Sequence, residues 1–177
     1  MRLSPRTALP RIKDRCGNPM KHTFVVDENI LICGARGVDE HDNDDPTSSL
    51  FLSLLLKNCH IIMVDPHIIK KYRQWLDRLK VEANRGFIDP QMLSVLSNIV
   101  YHADKLVEFG NSISSEVDLG TIPRKDRELA GLAYHLGLTM VTLDERLRSS
   151  INEHPSFMTK QLKALHPREA LKIVKEM

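Results

Sequence analysis

Short apolar runs alternate along this chain with longer stretches in which apolar residues recur every three or four positions, and this alternation constrains the fold more than any other feature. Thr23-Phe24-Val25-Val26-Asp27 and Ile61-Ile62-Met63-Val64 have no polar residue within their apolar runs, as strands covered on both faces require. Between and after them come stretches with helical spacing, such as Ile68, Ile69, Tyr72, Trp75, Leu76 and Leu79. Strands that alternate with helices imply crossover connections, hence a parallel sheet with helices on both faces. The expected fold class is therefore α/β, with three layers (α/β/α) around a central, mostly parallel sheet of four to five strands.

The individual elements follow from local signals. Ile30, Leu31 and Cys33 begin a short helix that Gly34 and Gly37 should stop, and residues 39–45 form an acidic loop. Asp45 or Thr47 is expected to cap a helix over 48–58, which is apolar nearly all round and so should be buried. Asp65-Pro66 opens the next helix, and Gly86 ends it. Asp89-Pro90 opens another, whose 3.6-residue period runs through Met92, Leu96, Ile99, Val100, Ala103, Leu106 and Val107 toward Gly110. Residues 116–119 are a strand candidate, followed by a helix over 124–136, a strand over 139–142 and a short helix over 145–151. Residues 156–159 read as an edge strand, and Pro167 opens a final amphipathic helix.

At 177 residues the chain has room for one sizeable core, and residues 23–177 are expected to form it. Residues 1–22 carry Arg2, Arg6, Arg11, Lys13, Arg15 and Lys21 against Asp14 alone, with three prolines among them, and read as a basic arm. The apolar stretches at 50–56 and 61–64 fall far short of the roughly 20 residues of a membrane span, so a cytoplasmic chain without a membrane partner is expected. Cys16, Cys33 and Cys59 lack CxxC spacing; Cys33 and Cys59 read as small buried residues, and neither a disulfide framework nor a zinc knuckle is expected. No GxxxxGK[ST], GxGxxG or GxSxG occurs, which removes support for nucleotide-driven enzymes, dehydrogenases and serine hydrolases. The histidines form no HExxH or paired-ligand pattern.

In an open parallel sheet the ligand site lies beyond the carboxyl ends of the strands. Asp27 and Asp144 stand at or just after such ends, and Asp126 opens a helix that should begin on the same rim. Each acid alone is accounted for by helix capping and the helix dipole. Together, in order and spacing, they resemble the PIN domain family. Val25-Val26-Asp27-Glu28-Asn29-Ile30-Leu31 is similar to its opening Asp-x-Asn motif. Asp126-Arg127-Glu128-Leu129-Ala130-Gly131-Leu132-Ala133 is similar to its late helix, and Val141-Thr142-Leu143-Asp144 to its Thr-x-Asp strand end.

The resemblance implies a divalent-metal-dependent endoribonuclease, often the toxin of a toxin–antitoxin pair, with Asp27, Asp126 and Asp144 as catalytic and metal-binding residues for Mg²⁺ or Mn²⁺. Its implied partners are RNA, single-stranded or structured, an antitoxin protein and a second copy of the chain in a homodimer. Physical chemistry agrees with the acids' role: Mg²⁺ takes hard oxygen ligands, commonly one or two carboxylates plus substrate phosphate. The sequence departs from the family where a helical Glu is expected, since Lys71 occupies that position. Either the site is degenerate, leaving a nucleic-acid or protein-binding module, or Glu28, Glu145 or an acid of the 39–45 loop completes it. A different phosphate-ester hydrolase sharing only the position of its site is the third alternative. The basic face of 70–85, with Tyr72 and Trp75, could follow a nucleic-acid backbone, although both aromatics also fit the apolar stripe.

Overall fold

A computed structural model describes residues 22–110 and 117–175. The basic arm expected over 1–22 lies outside the described residues except for His22. In chain order the elements are β1 (Thr23–Val26), α1 (Glu28–Arg36), α2 (Thr47–Lys57), β2 (Ile61–Val64), α3 (Pro66–Asn84), α4 (Pro90–Tyr101) and β3 (Leu106–Glu108). A 3-10 turn (Arg124–Asp126) then leads into α5 (Arg127–Leu136), β4 (Thr139–Val141), α6 (Glu145–Asn152), α7 (Pro155–Thr159), β5 (Ala164–Leu165) and α8 (Pro167–Lys175).

The expected α/β class is borne out. All four strand pairings are parallel, in the order β3-β2-β1-β4-β5. The three central strands are short apolar runs whose side chains are almost all buried, including Phe24, Val25, Val26, Ile62, Val64, Met140 and Val141. Helices α1 to α4 pack on one another and α8 packs on α2, forming one layer; α5, against β1 and β4, and α6, against β5, form the other. Asn58 at the end of α2 donates its side-chain N–H to the Val174 carbonyl at 2.7 Å, and Ala170 and Val174 of α8 are fully buried. The chain builds outward from β1 through β2 to β3, then returns to the other side of β1 for β4 and β5. The order reverses between β1 and β4, where a parallel sheet opens a crevice.

Several local expectations are corrected. The period read through Leu106 and Val107 toward Gly110 does not continue as helix: α4 ends at Tyr101, His102 is extended (φ −95°, ψ 117°), and Leu106–Glu108 pair with Ile62–Val64 as an edge strand. No Gly or Pro punctuates that junction, and over a single turn an apolar run fits both periods. Of the strand candidate at 116–119, Glu116 lies outside the described residues and the remainder is a turn, in which Asp118 accepts from Gly120 N. Residues 156–159 belong to a one-turn helix opened by Pro155 and capped by His154, and the edge strand comes later, at Ala164–Leu165.

Gly34 does not stop α1. A Cβ there would lie 2.7 Å from Leu52 Cδ1, so glycine instead lets α1 approach α2 closely, while Gly37 (φ 70°) ends the helix in the left-handed conformation. Helix α2 is not buried all round: Phe51, Leu52 and Leu55 are fully covered but Leu50 is 42% exposed. Its N-cap is Pro46, and Asp45 instead accepts from Thr47 N and Oγ1 and pairs with Arg168 at 2.7 Å. Cys33 is a half-buried free thiol, and Cys59 is buried as expected. Among the described residues no helix is long and apolar enough to cross a membrane.

Candidate functional site

Asp27 follows β1 at the carboxyl end of the sheet, beside the reversal point. Its backbone N–H donates to Val141 O at 2.9 Å, continuing the β1–β4 pairing one residue further and turning the side chain into the crevice rim. The residue is only 6% exposed, and Thr142, fully buried, donates its hydroxyl to Asp27 Oδ2 at 2.6 Å. The same Thr142 Oγ1 accepts from Asp144 N at 3.1 Å and from Asn29 Nδ2 at 3.4 Å, and Asn29 Oδ1 accepts from Leu143 N at 3.4 Å. Arg148 secures the far side of this strand end by donating to the carbonyls of Thr142 (3.0 Å) and Leu143 (2.6 Å). From below, the Tyr72 hydroxyl donates to the Val26 carbonyl, so Tyr72 is a core residue and not a stacking platform.

All three aspartates stand at helix N-cap positions, yet capping accounts for only one. Asp144 Oδ1 accepts from Leu147 N at 2.9 Å. Asp27 and Asp126 make no side-chain cap bond to α1 and α5. Asp126 Oδ2 is buried and has no hydrogen-bond partner among the described residues. Orphaned acceptors of this kind are rare in folded proteins and call for a reason.

The electrostatics link the acids. Burial, above all, pushes the Asp27 carboxyl up to about 7; the Thr142 hydrogen bond opposes this, and Glu28 and Asp126 add to it. Asp126 is raised too, first by burial, with the Lys125 charge opposing and Asp144 and Glu28 reinforcing. Asp126 is therefore within electrostatic reach of both other aspartates, and Glu28 belongs to the same group. Like charges gathered in a partly desolvated place disfavour their own ionisation unless a cation joins them.

Two lysines border the group. Lys71, which stands where the PIN pattern has a glutamate, has its Nζ 3.9 Å from Glu128 Oε2, and Glu128 also meets His67 Nδ1 at 2.5 Å. The Lys71 charge is felt by Asp126 but has a carboxylate of its own. Lys125 lies 3.7 Å from Asp144 Oδ2 and 4.0 Å from Asp126 Oδ2.

Of the acids considered as replacements, Glu28 is beside Asp27, while Glu145 and Glu40 line an open cleft of about 760 Å³ on the α6 side of Asp144. Asp39 and Asp45 are engaged in shaping their loop: Asp39 accepts from His41 N and Asn43 N. Trp75 is half-buried, with the Arg78 guanidinium 4.8 Å from its ring centre. Sequence reasoning alone gives no role to Thr142 or Lys125. Thr142 is visible as part of a Thr-x-Asp spacing, whereas nothing local distinguishes Lys125 from any exposed lysine.

The donor set consists of carboxylate oxygens, hard ligands suited to Mg²⁺ or Mn²⁺. Among the described residues, as the side chains stand, no three His, Cys, Asp or Glu residues are grouped closely enough to hold a metal ion. The buried Asp126 Oδ2, without a hydrogen-bond partner among the described residues, is nevertheless an oxygen that such an ion could engage. No family model, curated protein or solved structure matches the chain.

Proposed function

We propose that this protein is a divalent-metal-dependent endoribonuclease of the PIN type, in which Asp27, Asp126 and Asp144 hold the metal and Glu28 assists. The observation that carries the reading is Asp126 Oδ2, a buried acceptor with no hydrogen-bond partner among the described residues, in a carboxyl group that feels Asp144 and Glu28 and is felt by Asp27. A bound Mg²⁺ or Mn²⁺ would supply an acidified water and neutralise charge on a phosphate. The chain's own residues do the rest. Thr142 fixes the orientation of the Asp27 carboxylate by donating to Oδ2. Asp144 is held by its bond to Leu147 N and by its backbone N–H on Thr142, which leaves Oδ2 directed toward Lys125. The switch point between β1 and β4 gives an extended substrate an open approach to these groups.

In this reading RNA is the substrate, and an antitoxin protein and a second copy of the chain are the protein partners. The test is incubation of purified protein with single-stranded RNA and Mn²⁺. Cleavage that EDTA stops and that Asp27→Asn lowers by at least about a hundredfold supports the proposal, since removal of a group central to charge stabilisation costs on that order. An absence of cleavage, or cleavage indifferent to Asp27→Asn, overturns it.

A second reading, a catalytically degenerate module that binds nucleic acid or protein, is favoured by Lys125, whose ammonium lies against Asp126 and Asp144, and by Lys71, whose charge reaches Asp126 although it pairs with Glu128. RNA binding that persists without Mn²⁺ and without turnover would select it.

A further inference from the structure

The geometry points to Lys125 as a built-in counter-ion of the proposed metal site: its ammonium lies between Asp126 and Asp144 in place of the divalent cation and must swing away for that cation to bind. This inference rests on the metal-site reading above. Lys125 Nζ lies 3.7 Å from Asp144 Oδ2 and 4.0 Å from Asp126 Oδ2, and no other ammonium or guanidinium contacts either carboxylate among the described residues. The alternatives are otherwise engaged. Lys71 is paired with Glu128, and Arg127 donates to the carbonyls of Ile122 and Gly120.

At these distances the ammonium neutralises charge without satisfying its neighbours. Asp126 Oδ2 still lacks a hydrogen-bond partner among the described residues, because the 4.0 Å to Lys125 exceeds hydrogen-bond length. The lysine side chain is 75% exposed and long, so little holds it in place and the displaced ammonium passes directly into water. The 3-10 turn that carries it is fixed instead by its backbone, with Asp126 N donating to Pro123 O at 2.9 Å. The oxygens the lysine faces are also the available ones, since Asp144 Oδ1 is committed to Leu147 N. A single, screened charge therefore occupies the place where a doubly charged ion would bind both carboxylates directly. Lys125 would thus set the metal concentration at which the site fills.

The test measures Mn²⁺ binding to the full chain from the loss of the free-ion electron paramagnetic resonance signal, with wild type, Lys125→Ala, Lys125→Arg and Asp126→Asn compared at fixed ionic strength. Lys125→Ala is expected to bind Mn²⁺ about tenfold more tightly than wild type, the size of effect one partly screened neighbouring charge has on an ion. Lys125→Arg should remain within about threefold of wild type because the charge is kept. Binding by Lys125→Ala alone would also support the inference. Equal or weaker binding by Lys125→Ala, with wild-type binding intact and lost in Asp126→Asn, overturns the counter-ion role and leaves the metal site standing. If neither wild type nor Lys125→Ala binds Mn²⁺, the counter-ion role and the metal site fall together.

Discussion

Asp27 and Asp126 occupy equivalent local positions, each just before a helix it does not cap, yet their surroundings follow opposite rules. Asp27 is fixed from several directions: a strand pairing holds its backbone, Thr142 holds an oxygen, and Tyr72 holds the preceding carbonyl. Asp126 sits on a 3-10 turn between an exposed lysine and an exposed arginine, and its inner oxygen has no hydrogen-bond partner among the described residues. The carboxylate at the centre of the rim is held by hydrogen bonds, while the inner oxygen at its entrance has none among the described residues. A site arranged in this way would hold one ligand in place and let another adjust as an ion arrives. It would also concentrate the cost of unpaired charge at the centre, where the structure cannot relax it.

The sharpest way to break this contrast is through pH. The folded-state pKa of Asp27, about 7, lies above the 3.8 of the unfolded chain, so between those values the folded protein binds more protons than the unfolded one. Stability of the metal-free protein should therefore fall as pH rises through that window, by at most about 4 kcal/mol at roughly 1.4 kcal/mol per unit. Asp27→Asn should flatten this dependence and raise the melting temperature at pH 8, and saturating Mn²⁺ should flatten it in the wild type. A melting temperature that climbs between pH 5 and pH 8 without metal would show that the centre is not strained.

A smaller effect is expected from Thr142→Val, which leaves the buried carboxylate and Asp144 N without their shared partner. A loss of about 2 kcal/mol at pH 8, and less at pH 5 where Asp27 is protonated, should appear in denaturant titrations. Tyr72→Phe should cost about 1 kcal/mol by the same assay, since it removes one buried hydrogen bond and leaves the packing in place. At the entrance, Asp126→Asn should change stability by no more than about 0.5 kcal/mol while removing Mn²⁺ binding. A large destabilisation there would mean that Asp126 is a structural residue and that the two regions do not differ.

The parallel sheet was legible because its central strands are buried on both faces, and an uninterrupted apolar run as short as Ile61–Val64 suits a doubly covered strand better than a helix or a loop. Its edges were not. Leu106–Glu108 and Ala164–Leu165 are two or three residues long and pair on one side only, so they need no distinctive pattern. The placement of Asp27 and Asp144 on the rim followed from strand ends alone. What periodicity could not supply was the division of labour among the acids. Asp126 has a helical backbone (φ −104°, ψ −6°) unlike that of a capping residue, whereas Asp27 is extended like Asp144 but accepts from the distant Thr142 hydroxyl instead, and neither difference leaves a trace in composition.

The pairing of α8 with α2 has a consequence for how the chain reaches its native state during synthesis. Helix α2 is made well before Ala170 and Val174, which cover it, and before the Val174 carbonyl that receives the Asn58 side chain. Until α8 emerges the apolar face of α2 has only part of its partner surface, so the nascent chain would hold a greasy helix open to chaperones over that interval.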